Sequence, residues 1–200
     1  MDARSSIATT RLDLLLAQYD TSFEIFRERL DGLTDDEFFW EPVSGCWSLR
    51  RSGDIVTPHA FGQGPWLLDN DRSEPDPAPV STIAWRLCHL VAGQMERHDY
   101  TFGAKSLTED AIAFPGGAAE ALAWLDRSHA AWRGGLGQLR DADLDTVGLS
   151  SYPHGRDPHL PFGDILWWTN RELIHHGAEI ALLRDLWRFR ASSPGVQPAR

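Results

Sequence analysis

Basic residues are scarce in this chain: 19 Lys and Arg stand against 29 Asp and Glu, for a formal net charge of −10. Nucleic acid demands a basic footprint along its phosphates, so the balance argues against such a partner and disfavours anionic membrane surfaces. Acidity by itself names no partner, and its plain consequence is solubility. Cysteine is scarce too, and Cys46 and Cys88 form no disulfide framework. No charged-then-apolar leader opens the chain, and no apolar run approaches the roughly 20 residues of a membrane span. These absences predict a cytoplasmic protein with no membrane partner. A glycine-rich phosphate loop and a Ser/His/Asp signature are missing, as are internal repeats and alternating strand runs.

What is present is material for a helical core. Hydrophobic residues make up 42% of the 200, with nine Trp and nine Phe, and the length suits one domain. Residues 5–30 repeat apolar side chains at threes and fours (Leu12, Leu15, Leu16, Tyr19, Phe23, Phe26), which predicts a first helix. Thr34-Asp35-Asp36-Glu37 has the form of a capping box and predicts a short turn holding Phe38, Phe39 and Trp40. Residues 42–80 break the pattern with Gly, Pro, Asp and Ser, and predict a long loop over one end of the molecule. Further helices are expected from Ser81 or Thr82 to about 98, over 117–139 and over 162–188, with a second long loop at 140–161. The reading is an all-α four-helix bundle over residues 1–189, followed by a flexible tail at 190–200.

One stretch of the last helix is unlike the rest. Residues four apart on a helix lie about 40° apart around its axis, so Ile165, Trp168, Glu172, His176, Glu179, Leu183 and Trp187 share a face. That face is apolar at its ends and polar at its centre. Burying Glu172 and His176 there is costly without a partner, and a divalent metal is one, since carboxylate and neutral imidazole are both ligands. His89 shares a stripe of the second helix with Trp85, Ala92 and Glu96 and supplies a third candidate. Simpler readings stand beside this one. Glu172 and His176 could be a solvent-facing pair or an ordinary buried hydrogen bond, and His89 a satisfied core histidine. Glu172-x-x-His175 also matches the Glu-x-x-His element of di-iron bundles, for which Asp126-x-x-His129 is the nearest second element. Glu179 could orient His176 or be a plain surface charge. His98 and His129 are explained by helix-end placement or exposure, and His59, His154 and His159 sit in loops. Cys88 and Cys46 read as small core residues.

Three segments, Gly45-Cys46-Trp47-Ser48-Leu49-Arg50, Thr82-Ile83-Ala84-Trp85-Arg86-Leu87-Cys88-His89-Leu90 and Asn170-Arg171-Glu172-Leu173-Ile174-His175-His176-Gly177-Ala178-Glu179, resemble the DinB-like family and its relatives, the mycothiol-dependent thiol transferases. The resemblance implies an up-up-down-down bundle with long loops between helices one and two and between three and four. It implies one metal-ligand histidine on helix two and a pair on helix four, which carries His89, Glu172 and His176 over as ligands. Glu172 stands where many members have histidine, and the maleylpyruvate isomerase branch is similar in using a carboxylate with two histidines.

The expected function is therefore metal-dependent activation of a small thiol, of mycothiol or bacillithiol type, for transfer to an electrophilic substrate. A non-catalytic metal-binding or stress-related module is the alternative. Zinc fits the ligand set, with nickel, iron or manganese compatible by ligand type. A bundle with this many Trp also suggests a homodimer.

Overall fold

Thr10 opens the first long helix. In this computed structural model, which describes residues 9–73 and 75–190, helix α1 spans Arg11–Arg29. The Thr10 hydroxyl accepts from Asp13 N–H and the Asp13 carboxylate accepts from Thr10 N–H, so two N-terminal donors are satisfied reciprocally. The helix thus starts later than expected, and residues 5–8 lie outside the described part, as does the expected tail at 191–200. A short helix α2 covers Asp35–Phe38, and the longer α3 covers Ile83–Phe102 behind the Thr82 cap. Helix α4 covers Ala118–Leu136 and α5 covers Phe162–Phe189.

Only half of the expected capping box at Thr34 forms: its hydroxyl accepts from Glu37 N–H. The Glu37 carboxylate is committed elsewhere, to Arg184. Asp35 caps a different helix, accepting from Ala118 N–H at 2.7 Å. A Cβ on Gly117 would lie 2.8 Å from that carboxylate oxygen, so the close approach requires glycine there.

Helix directions follow from which residues meet. Asn170 donates to the Leu15 carbonyl at 2.9 Å and Arg29 reaches Asp185 at 2.6 Å, so α1 and α5 run the same way. Ser128 donates to Gln94 at 2.8 Å and the Phe102 ring meets Trp132, so α3 and α4 also run together. Arg27–Asp126 and Arg133–Asp20 set α1 against α4, and Arg86–Glu179 with Phe102–Phe162 sets α3 against α5. The four long helices therefore run up, down, down, up. This corrects the expected up-up-down-down order. The connection at 103–117 makes it possible: α4, at 19 residues, rises about 28 Å, and an extended segment of roughly fifteen residues can span nearly twice that.

The all-α expectation needs a second correction. The 42–80 stretch holds a three-stranded antiparallel sheet of β1 (Leu49–Arg51), β2 (His59–Phe61) and β3 (Trp66–Asn70), in the order β1-β3-β2. Leu68 on the central strand is paired with Leu49 on one side and Phe61 on the other. All three are buried, so the sheet turns this row inward. Asp69 is fully buried but satisfied, accepting from Ser48 N–H, Arg50 Nε and Thr57 Oγ1. Its backbone carbonyl accepts from Trp85 Nε1 at 2.7 Å, which ties the sheet to α3.

Cys46 and Cys88 are buried free thiols. Arg184 is 2% exposed and donates to both Glu37 oxygens and to the carbonyls of Arg29 and Asp31. Among the described residues, no helix is long and apolar enough to cross a membrane.

Candidate metal centre

The site lies where α3 and α5 cross in opposite directions. Glu172 and His176 are one turn apart on α5, with His176 Nε2 at 3.1 Å from Glu172 Oε2. His89 comes from α3, and its ring meets the His176 ring edge to face at a centroid distance of 5.1 Å. His89, Glu172 and His176 each offer a donor atom, and the three atoms lie within 4.8 Å of one another. The structure thus brings together all three expected ligands.

Each member is held from behind. Trp85, fixed by its bond to Asp69, stacks on His89 with centroids 4.8 Å apart and planes 9° apart. Glu179 Oε2 sits 2.8 Å from His176 Nδ1 and is itself paired with Arg86. Glu179 is therefore an orienting partner rather than a plain surface charge. Arg171 lies against the outer oxygen of Glu172.

The electrostatics favour the ligand forms. Burial, and then the neighbouring His176, push the His89 imidazole down to about 4, so it stays neutral with a free lone pair. Burial works against the charge on Glu172, but the hydrogen bond from His176 and the nearby positive groups outweigh it and hold the carboxyl below its ordinary range. His176 poses the sharper question. Both its nitrogens face carboxylate oxygens, yet a neutral ring donates from only one. With Nδ1–H donating to Glu179, Nε2 can meet Glu172 either by carrying a second proton, the form whose hydrogen bond lowers the Glu172 carboxyl, or by giving its lone pair to a metal ion between them. That arrangement fits a divalent ion held by His89, Glu172 and His176, with Glu179 fixing the tautomer.

A competing triplet, His175/His176/Glu179, also has its donors within 4.8 Å. It shares His176 but uses an imidazole about half exposed. His89 and Glu172, by contrast, line a cavity of about 310 Å³, together with Glu96, Arg97, Tyr152 and Trp168. The di-iron reading fails on placement. Asp126 is bound to Arg27, and His129 is wedged beside Phe23 and Tyr19 with Nδ1 3.2 Å from the tyrosine hydroxyl. His129 is accordingly not explained by helix-end exposure. Neither residue joins a metal-capable group among the described residues.

A family model described as the DinB superfamily matches residues 18–180, more than half of the chain and all three residues of the site. The chain belongs to the DinB superfamily. No match was found among curated proteins or among solved structures. What the DinB sequence pattern left unread are the supports. Arg86 lies 93 positions from the carboxylate it pairs with, and Tyr152 sits in a loop without periodicity. Glu96 was visible on the stripe of His89 but had no stated role.

Proposed function

We propose that this DinB-superfamily protein is a cytoplasmic metal-dependent thiol transferase. It would bind one divalent ion, zinc best matching two imidazoles and a carboxylate, through His89, Glu172 and His176. The observation that carries this reading is the clustered triplet, with His176 buried and His89 and Glu172 half-buried and lining a cavity, and with no fourth side chain of the described residues among its donors. Three protein ligands, two of them lining a cavity, leave a position for an outside molecule. When bound there, the ion would lower the pKa of a small thiol or of water and so supply a nucleophile at neutral pH.

The chain's own residues do the rest. Glu179 keeps the His176 proton on Nδ1 and the ring in place, with Arg86 holding Glu179. Phe61, Tyr152, Trp168 and Leu173 wall the cavity and restrict water. An electrophile seated between these walls would take up the thiolate sulfur as a new carbon–sulfur bond while its leaving group, bromide in a bromomethyl substrate, departs with the electron pair of the broken bond and the thiol proton leaves to solvent. Mycothiol and bacillithiol are the thiol class, and residues 1–189 act as one domain.

The test is conjugation of an electrophile such as monobromobimane with mycothiol, bacillithiol and cysteine. Zinc-loaded wild type should accelerate the reaction over the uncatalysed rate, and His176→Ala should lose both zinc and acceleration while staying helical. Stoichiometric zinc with no acceleration for any thiol would instead assign a non-catalytic metal-binding module.

Self-association as a homodimer belongs to the same proposal. Trp167, Ile174, Leu182, Leu186 and Phe189 are exposed and fall within about 120° of one another around α5. Sedimentation at micromolar concentration should give twice the chain mass, and a monomer there would remove this part.

A further inference from the structure

At the wall of the cavity away from His176, three more donors converge. Glu96 on α3, Glu109 in the 109–111 turn and His154 in the loop before α5 each place a donor atom within 4.8 Å of the others. All three line the same cavity as His89 and Glu172. Glu96 is 3% exposed. One of its oxygens accepts a long bond of 3.4 Å from the Tyr152 hydroxyl, and the other, Oε1, is buried with no hydrogen-bond partner. A buried carboxylate oxygen without a partner is costly, and a native one calls for an explanation.

The neighbouring cation does not supply it. Arg97 is turned to Asp157, at 3.1 Å, and its guanidinium lies over the Tyr152 ring. Two carboxylates and an imidazole are thus gathered with no positive charge placed among them. Burial, and then the facing Glu109, push the Glu96 carboxyl up to about 7, against the pull of Tyr152 and Arg97.

We propose that Glu96, Glu109 and His154 form a second divalent-cation site, separate from the His89/Glu172/His176 centre and facing it across the cavity. Two carboxylates and one imidazole are a harder donor set than two imidazoles and one carboxylate, so this site suits a manganese-type ion better than the first. It is not half of a bridged pair. Glu96 follows His89 by seven residues on one helix, a rise of about 10.5 Å, whereas bridged metals sit about 3.5–4 Å apart. The ion would take its bonds from the partnerless Glu96 oxygen, from Glu109 and from His154, with the exposed side left to water or to an anionic group of a molecule in the cavity.

The site is tested by Mn²⁺ titration followed through the electron paramagnetic resonance of the free ion. His176→Ala, which disables the first centre, should still bind one Mn²⁺ per chain. His176→Ala with Glu96→Gln should weaken that binding by at least about tenfold, the order seen on losing even an outer partner of a metal site. Glu109→Gln and His154→Ala lie in a surface turn and an exposed loop and must weaken it as well, which keeps the test decisive if the buried Glu96 change harms folding. Glu96→Gln alone should retain one zinc per chain at the first centre, so failure of one site is distinguishable from failure of the other. Absence of Mn²⁺ binding in His176→Ala, or binding that ignores all three substitutions, would overturn the proposal.

Discussion

His176 has a carboxylate at each ring nitrogen, and the two do different work. Glu172 stands on the side of His89 and the cavity, while Glu179 stands behind and is held by Arg86. Removing the charge of Glu179 while keeping its shape should loosen the ring and leave the ligand set intact. Glu179→Gln is expected to weaken zinc binding by about 10–100-fold, the cost of losing an outer hydrogen-bond partner, with the far-ultraviolet circular dichroism unchanged. Zinc affinity equal to wild type would return Glu179 to the role of a surface charge. At this scale the sequence was informative where chemistry and helical period coincide. Glu172 and His176 are one turn apart in an apolar setting, and His89 is on a stripe with Trp85, so spacing offered all three as candidates and the resemblance to the DinB-like family carried them over as ligands. The partners could not. Arg86, Tyr152 and His154 reach their contacts through the tertiary fold, and no local pattern distinguishes them from surface residues.

Arg184 connects three elements: it belongs to α5, pairs with Glu37 of α2 and donates to the carbonyls that end α1. Those carbonyls have no partner within their own helix, so one guanidinium satisfies a helix end and a buried carboxylate together. Arg184→Ala strands both and is expected to cost about 3–5 kcal/mol in urea unfolding, the range for breaking a buried ion pair from one side. A loss under about 1 kcal/mol would show that water replaces the side chain there. The long helices were legible because each repeats its apolar positions over many turns. The sheet was not. Its strands are three, three and five residues long, too short for an alternating pattern to stand out, and one of them carries Asp69, whose burial is explained only by donors from the folded loop. Helix direction was hidden for a related reason: periodicity marks where a helix lies but is silent on which way it runs, and the 103–117 connection was long enough for either choice.

The whole molecule couples its stability to pH through a half-buried histidine on α4. Burial holds the His129 imidazole below its ordinary value of 6.5, against the pull of Asp20 and Asp126 and with Arg133 adding to the depression. The unfolded chain therefore takes up a proton at a pH where the folded chain does not. Stability contributed by neutral His129 is present above about 6.5 and declines as pH falls below it. Metal-free wild type should lose stability between pH 7.5 and 5.5, and His129→Phe, which keeps the stack with Phe23 and Tyr19, should lose less over the same interval. Equal losses would place the coupling elsewhere.

The central claim is that one ion sits between α3 and α5 at the cavity. An anomalous-difference map at the zinc edge, from crystals of the zinc-loaded protein, tests it directly. The account predicts a peak within about 2.0–2.2 Å of a nitrogen of His89, a nitrogen of His176 and an oxygen of Glu172. A peak held instead by His175, His176 and Glu179, or no peak between the two helices, would contradict it.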